Sequence, residues 1–148
     1  MPMRCPMHEP VTLPITGGCL CGALRYSAAA APLVMVACQC LDCQKDSGTG
    51  HACHVLFPSA AVSVTGAASF WPMRGDSGTI KTRAFCPSCG TPVYGTFEAQ
   101  PGLFAVRAAS LDDPSLYQPQ FVAYHSRAQA WDHLDPALPR FATMPPNA

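Results

Sequence analysis

Apolar residues occur along this chain in short bursts rather than long stripes. Runs closed by Gly, Pro, Ser or Asp predict strands over 23–27, 33–37, 53–57, 61–65, 69–73, 79–84, 92–97, 103–108 and 121–125. The 23–27 run alternates after what reads as a Gly17-Gly18 turn. The 33–37 run is continuously apolar and feeds a group of cysteines. No stretch sustains helical periodicity. Residues 39–47 predict one turn of helix, and 126–131 another, with Ser126 as a possible N-cap. Residues 28–31 read as a strand end and 144–148 as a loose tail. With no internal repeat and no long linker, the pattern predicts a single, mainly β domain over 15–145. It is preceded by a flexible N-terminal segment over 1–14.

Composition narrows the class. The 148 residues are 49% apolar and 12% charged, about half the usual charged share of roughly 25%, which excludes a disordered chain. Nine basic residues balance nine acidic ones. That balance argues against a nucleic-acid or anionic-membrane surface built on bulk charge. The longest apolar stretch, 28–38, is about half the length of a spanning helix. The first ten residues hold Pro2, Pro6, Glu9 and Pro10 and lack the apolar centre of a secretory signal, so a cytoplasmic protein is expected. The 16 prolines suit short strands and turns.

The nine cysteines carry the chemistry. An odd number cannot all pair internally, and a reducing cytoplasm disfavours disulfides. Cys19-Leu20-Cys21 is a CxC pair, Cys86-Pro87-Ser88-Cys89-Gly90 is a CxxC knuckle closed by glycine, and Cys38-Gln39-Cys40-Leu41-Asp42-Cys43 is a CxCxxC triplet. Such spacings let thiolates converge on one tetrahedral zinc ion, and glycine frees the backbone after the knuckle. Cys19, Cys21, Cys86 and Cys89 make a complete four-thiolate set; Cys38, Cys40 and Cys43 make three ligands and a gap. A closed set is structural, whereas three ligands and a vacancy mark a catalytic or ligand-binding zinc. Spacing alone leaves other partitions open: the triplet could pair with the knuckle, or close on Cys53, His51 or His54.

Three ordered segments bear a resemblance. Gly18-Cys19-Leu20-Cys21-Gly22-Ala23-Leu24-Arg25-Tyr26, then Cys38 to Lys45, then Phe85-Cys86-Pro87-Ser88-Cys89-Gly90-Thr91 resemble the glutathione-dependent formaldehyde-activating enzyme family, in the same superfamily as centromere protein V. Ser110-Leu111-Asp112-Asp113-Pro114, Ser126-Arg127, Trp131 and Leu138-Pro139-Arg140-Phe141 extend the likeness over roughly 15–145. The resemblance implies a β-tent of small antiparallel sheets and two zinc ions per chain. It implies a structural ion on Cys19, Cys21, Cys86 and Cys89, and a catalytic ion with an open position on Cys38, Cys40 and Cys43. The implied activity is a carbon–sulfur lyase: a glutathione-like thiol and a small aldehyde are the partners, and their adduct is formed or cleaved. One departure stands out: the family often carries Arg after the triplet, where this chain has Gln44. The rival class is a zinc-stabilised, non-catalytic binding module, favoured if Cys53 or a histidine closes the triplet. A redox enzyme of the methionine sulfoxide reductase B type would need Cys53 as its nucleophile and a second CxxC knuckle.

Other residues are weighed against plainer roles. On a strand, His51 and Cys53 share a face and His54 points the opposite way. Each histidine reads as fourth ligand, proton shuttle or ordinary turn residue, and Cys53 as a core thiol. Cys5 reads as a bystander. Lys45, Arg25 and Arg83 are candidates for glutathione carboxylates or simply solvated charges. Phe70, Trp71 and Phe85 read as core. Trp131 and His133 line a pocket or pin the C-terminal segment.

Overall fold

The computed structural model describes residues 11–146. Cys5, most of the expected 1–14 segment and the last two residues of the expected tail lie outside the described residues. Ten strands fall in two sheets. The smaller contains β1 (Ile15–Gly18), β2 (Arg25–Ala28) and β5 (Val62–Thr65) in the order β1-β2-β5. The larger contains β3 (Val34–Cys38), β4 (Ala52–Pro58), β6 (Ser69–Arg74), β7 (Ile80–Phe85), β8 (Pro92–Phe97), β9 (Leu103–Arg107) and β10 (Phe121–Ala123). Its order is β10-β3-β4-β9-β8-β7-β6, antiparallel throughout except for the parallel β10–β3 pair. One helix, α1 (Leu41–Ser47), follows β3. The expected mainly β, single-domain architecture is what the chain adopts.

Strand alternation divides the larger sheet into two faces. Val55, Phe57, Phe104, Val106, Val93 and Ala84 join Tyr26 of the smaller sheet, and Leu24 just before it, in the main core. Phe57 is wholly buried there, and truncation to Ala would cost about 3–5 kcal/mol. The opposite face presents His54, Leu56, Ala105 and Arg107 from the alternate positions of β4 and β9 to a cavity described below.

Three sequence expectations need correction. Gly17 and Gly18 are not a turn but the end of β1, paired with Tyr26 and Arg25. A Cβ on Gly17 would lie 2.3 Å from the Tyr26 hydroxyl oxygen, so glycine marks close packing here rather than reversal. The expected helix at 126–131 contracts to a 3-10 turn, His125–Arg127, because the backbone there hydrogen-bonds across to the C-terminal segment: the His125 amide donates to Phe141 and the Ser126 amide to Ala142. Phe70 and Trp71 are 58% and 63% exposed on the edge strand β6, so they are not core.

The family-like C-terminal segments fasten these pieces together. Asp112 receives the Thr16 hydroxyl at 2.6 Å and the Arg25 guanidinium at 2.8 Å, and Tyr26 meets Ser110 at 2.8 Å. These contacts tie the smaller sheet to the segment after β9. Further on, the Val122 amide donates to Pro139 and the Phe141 amide to Val122, both at 2.9 Å, covering the β10 edge.

Candidate metal centres

The first cluster joins two hairpin loops distant in sequence. Cys19 follows β1 directly, Cys21 lies in the loop before β2, and Cys86 and Cys89 follow β7. Their four sulfurs lie within 4.8 Å of one another. The Cys19–Cys21 and Cys21–Cys86 separations are 3.6 and 3.7 Å, close to the roughly 3.8 Å edge of a tetrahedron with 2.3 Å zinc–sulfur bonds. Backbone amides support the sulfurs: Leu24 donates to Cys19 at 3.2 Å and Ser88 to Cys86 at 3.4 Å. Thr91 stitches the loops, accepting from the Leu20 amide and contacting Cys89, both at 3.1 Å. Its hydroxyl and backbone amide pull Cys89 down to about 5. Gly90 closes the knuckle at φ +75°, a conformation costly for other residues, and its amide returns to Cys86.

The second cluster is built by one local junction. Cys38 is the last residue of β3, Cys40 caps α1 and Cys43 lies in the first turn. The Cys43 amide donates to the Cys40 sulfur at 3.3 Å. All three are under 9% exposed, and their sulfurs lie within 4.8 Å of one another. Neither Cys53, His51 nor His54 joins this ligand group. The donor set fits a divalent cation. The neighbouring Cys38 and Cys43 sulfurs pull Cys40 down, while contact with Cys40 pushes Cys38 up against the opposing effect of Cys43, and contacts with Cys38 and Cys40 push Cys43 up. A cation among them would let all three ionise.

A chain of polar and charged groups leads away from the triplet. The His54 ring meets the Cys43 sulfur through Nε2 at 3.4 Å and Arg107 through Nδ1 at 3.0 Å. Arg107 grips the Asp46 carboxylate through Nε at 2.8 Å and also through Nη2, and Arg83 approaches the other Asp46 oxygen at 3.5 Å. Burial and the nearby Arg107 charge push His54 down to about 3. A cavity of about 210 Å³ opens onto Cys38 and Cys43, lined by His54, Arg83, Arg107 and Lys81 among mainly apolar neighbours. Lys81 makes no ion pair among the described residues.

The strand alternation read from sequence holds at β4: Cys53 packs on the main core, and His54 turns to the cavity. His51 instead pairs with Asp132 at 2.9 Å, an approach that Gly50 permits, since a Cβ there would lie 2.3 Å from the Asp132 side chain. The neighbouring Cys53, with Asp132 adding to it against the effect of burial, raises His51 to about 9. Of the three expected carboxylate receivers, Arg83 lines the cavity but is bonded to the Asp42 carbonyl and Asp46. Arg25 is paired with Asp112, and Lys45 lies outside the cavity lining. Trp131 is 60% exposed and does not line it either. Gln44 donates to the Gln39 and Arg127 carbonyls at 2.8 and 2.9 Å, so position 44 braces α1 rather than facing the cavity.

Sequence reasoning missed Asp46, Lys81, Arg107 and Asp132. Asp46 was within reach, since it stands three residues after Cys43 on one helix face. Lys81 and Arg83 alternate on β7 as residues of one face do, yet nothing local says what that face meets.

A mainly β fold clasping one four-sulfur and one three-sulfur cluster, each able to hold a metal ion, defines a class of cysteine-rich metal-site proteins. Within that class, the chain belongs to the glutathione-dependent formaldehyde-activating enzyme family, whose model matches residues 14–127. A crystal structure of a Rhodobacter sphaeroides protein shares the fold, with a TM-score of 0.55 at 21% identity over 70% of this chain and 96% of that one. Among the described residues no helix is long and apolar enough to cross a membrane.

Proposed function

We propose that the protein is a zinc-dependent carbon–sulfur lyase that joins a glutathione-like thiol to a small aldehyde and catalyses the reverse cleavage. The observation that supports this most is the placement of three buried cysteines, a set incomplete for tetrahedral zinc, beside a cavity. In this reading Cys19, Cys21, Cys86 and Cys89 hold a structural ion, and Cys38, Cys40 and Cys43 hold the second. Zinc bound by the triplet supplies an open position at which a substrate thiol gives up its proton.

The chain's own residues shape the rest. Lys81 receives an anionic group of the thiol, since Arg83 and Arg107 are already engaged by Asp46. The apolar walls from Leu56, Phe97 and Ala105 exclude water, which strengthens charge interactions inside. In the forward direction the sulfur forms a bond to the aldehyde carbon, the carbonyl π bond opens, and the thiol's proton ends on the new hydroxyl oxygen. The reverse breaks that carbon–sulfur bond and returns both molecules.

Exchange spectroscopy with carbon-13 formaldehyde and glutathione tests the reading. It expects exchange between free aldehyde and thiohemiacetal to accelerate with enzyme concentration, and to return to the uncatalysed rate with Cys40→Ser. Exchange unaffected by the parent protein, with both metal sites filled, contradicts it for these substrates.

A further inference from the structure

We propose that His54 is a positioning residue that donates a hydrogen bond to the Cys43 sulfur, with its tautomer set by Arg107. The inference concerns the electronic state of the triplet and rests on the reading that the triplet holds a metal.

Three side-chain contacts and the backbone of α1 close a ring through α1, β4 and β9. Arg107 carries only donors, so its 3.0 Å contact with His54 makes Nδ1 the acceptor. The single proton of the neutral ring is therefore on Nε2, which faces Cys43 at 3.4 Å as an N–H···S donor. Asp46 holds the Arg107 guanidinium and belongs to the same helix as Cys43, three residues on. Strand register supplies the remaining constraint, because His54 and Arg107 are direct cross-strand partners. The ring cannot swing away without breaking bonds at both ends.

The chemical effect follows from charge. Three thiolates donate strongly to a metal and blunt it as a Lewis acid. A hydrogen bond to one sulfur withdraws part of that donation without occupying the open position. It also fixes the Cys43 side chain, as outer hydrogen bonds fix metal ligands generally. His54 is not a fourth ligand: it stands outside the group of mutually close donors, and both ring nitrogens are already engaged.

Nitrogen-15 histidine spectra of the wild-type protein read the tautomer directly. The Nε2–H form is expected for His54; an Nδ1–H form would overturn the proposal. His54→Leu should weaken metal binding at the triplet by about 10–100-fold in chelator competition, while the four-sulfur site keeps its affinity. With cobalt in place of zinc, the sulfur-to-metal charge-transfer band should shift in His54→Leu and move back in His54→Gln, whose amide retains a donor. Unchanged affinity and an unchanged band in His54→Leu would overturn the proposal. Failure to bind a second metal in the parent protein would instead strike the metal reading, and the tautomer, read on metal-free protein, tells the two failures apart.

Discussion

The two cysteine clusters employ the same donor atom in opposite settings. The four-sulfur cluster bridges loops 65 residues apart between Cys21 and Cys86, with Cys21 exposed and its sulfurs met by backbone amides and the Thr91 hydroxyl. The three-sulfur cluster lies within six consecutive residues, buried, with His54 on Cys43 and behind it a linked set of Arg107, Asp46 and Arg83. A staple between distant loops needs complete coordination and little else, because its value lies in the loop it closes. A reactive position needs a missing ligand, a cavity and neighbours that adjust charge. The difference teaches that sulfur spacing proposes a metal site, while the surrounding groups suggest what the site is for.

The comparison breaks most visibly if the clusters are disabled separately. Cys86→Ser should abolish cooperative folding, since structural zinc sites of this kind contribute about 10–16 kcal/mol in small zinc domains. Circular dichroism and solubility report this. Cys40→Ser should keep a folded, cooperative protein but lose one metal per chain and the thiol–aldehyde activity, checked by elemental analysis and the exchange assay. Equal behaviour of the two variants would erase the division of labour.

Smaller effects sharpen it. His51 is raised to about 9 from its ordinary 6.5 by Cys53 and then, against burial, by Asp132. A raised pKa stabilises the fold fully below the unfolded value and loses that contribution as pH rises through the folded one. Thermal stability should therefore fall between about pH 6.5 and pH 9, and this fall should flatten in His51→Gln. The smallest expected change is Lys81→Met. It should raise KM for carboxylate-bearing thiols about 3–10-fold, as loss of one partly screened charge contact predicts, while an uncharged thiol such as mercaptoethanol keeps its KM.

Much of this was legible before any coordinates. Alternation at 53–57 placed Cys53 and His54 on opposite faces, and the freedom read at the knuckle glycine is used as a positive φ at Gly90. Spacing marked Cys38, Cys40 and Cys43 as candidate ligands but left their partners open, and the structure draws these three sulfurs together without Cys53, His51 or His54. The chain of charged groups was not legible, because Arg107 and His54 meet only through the β4–β9 register, and Asp132 reaches His51 across 81 positions. Gly17 misled for a related reason: its need for glycine comes from the Tyr26 side chain, which meets it only once β1 and β2 pair.

The central claim is that the triplet keeps a position for a substrate thiol while the four-sulfur site is closed. Zinc-edge X-ray absorption on protein carrying two zinc ions, recorded with and without glutathione, tests it most directly. Added thiol should raise the mean sulfur coordination per zinc from about 3.5 to about 4, as one of the two ions gains a ligand. A spectrum unchanged by saturating thiol would mean two closed sites and would contradict it.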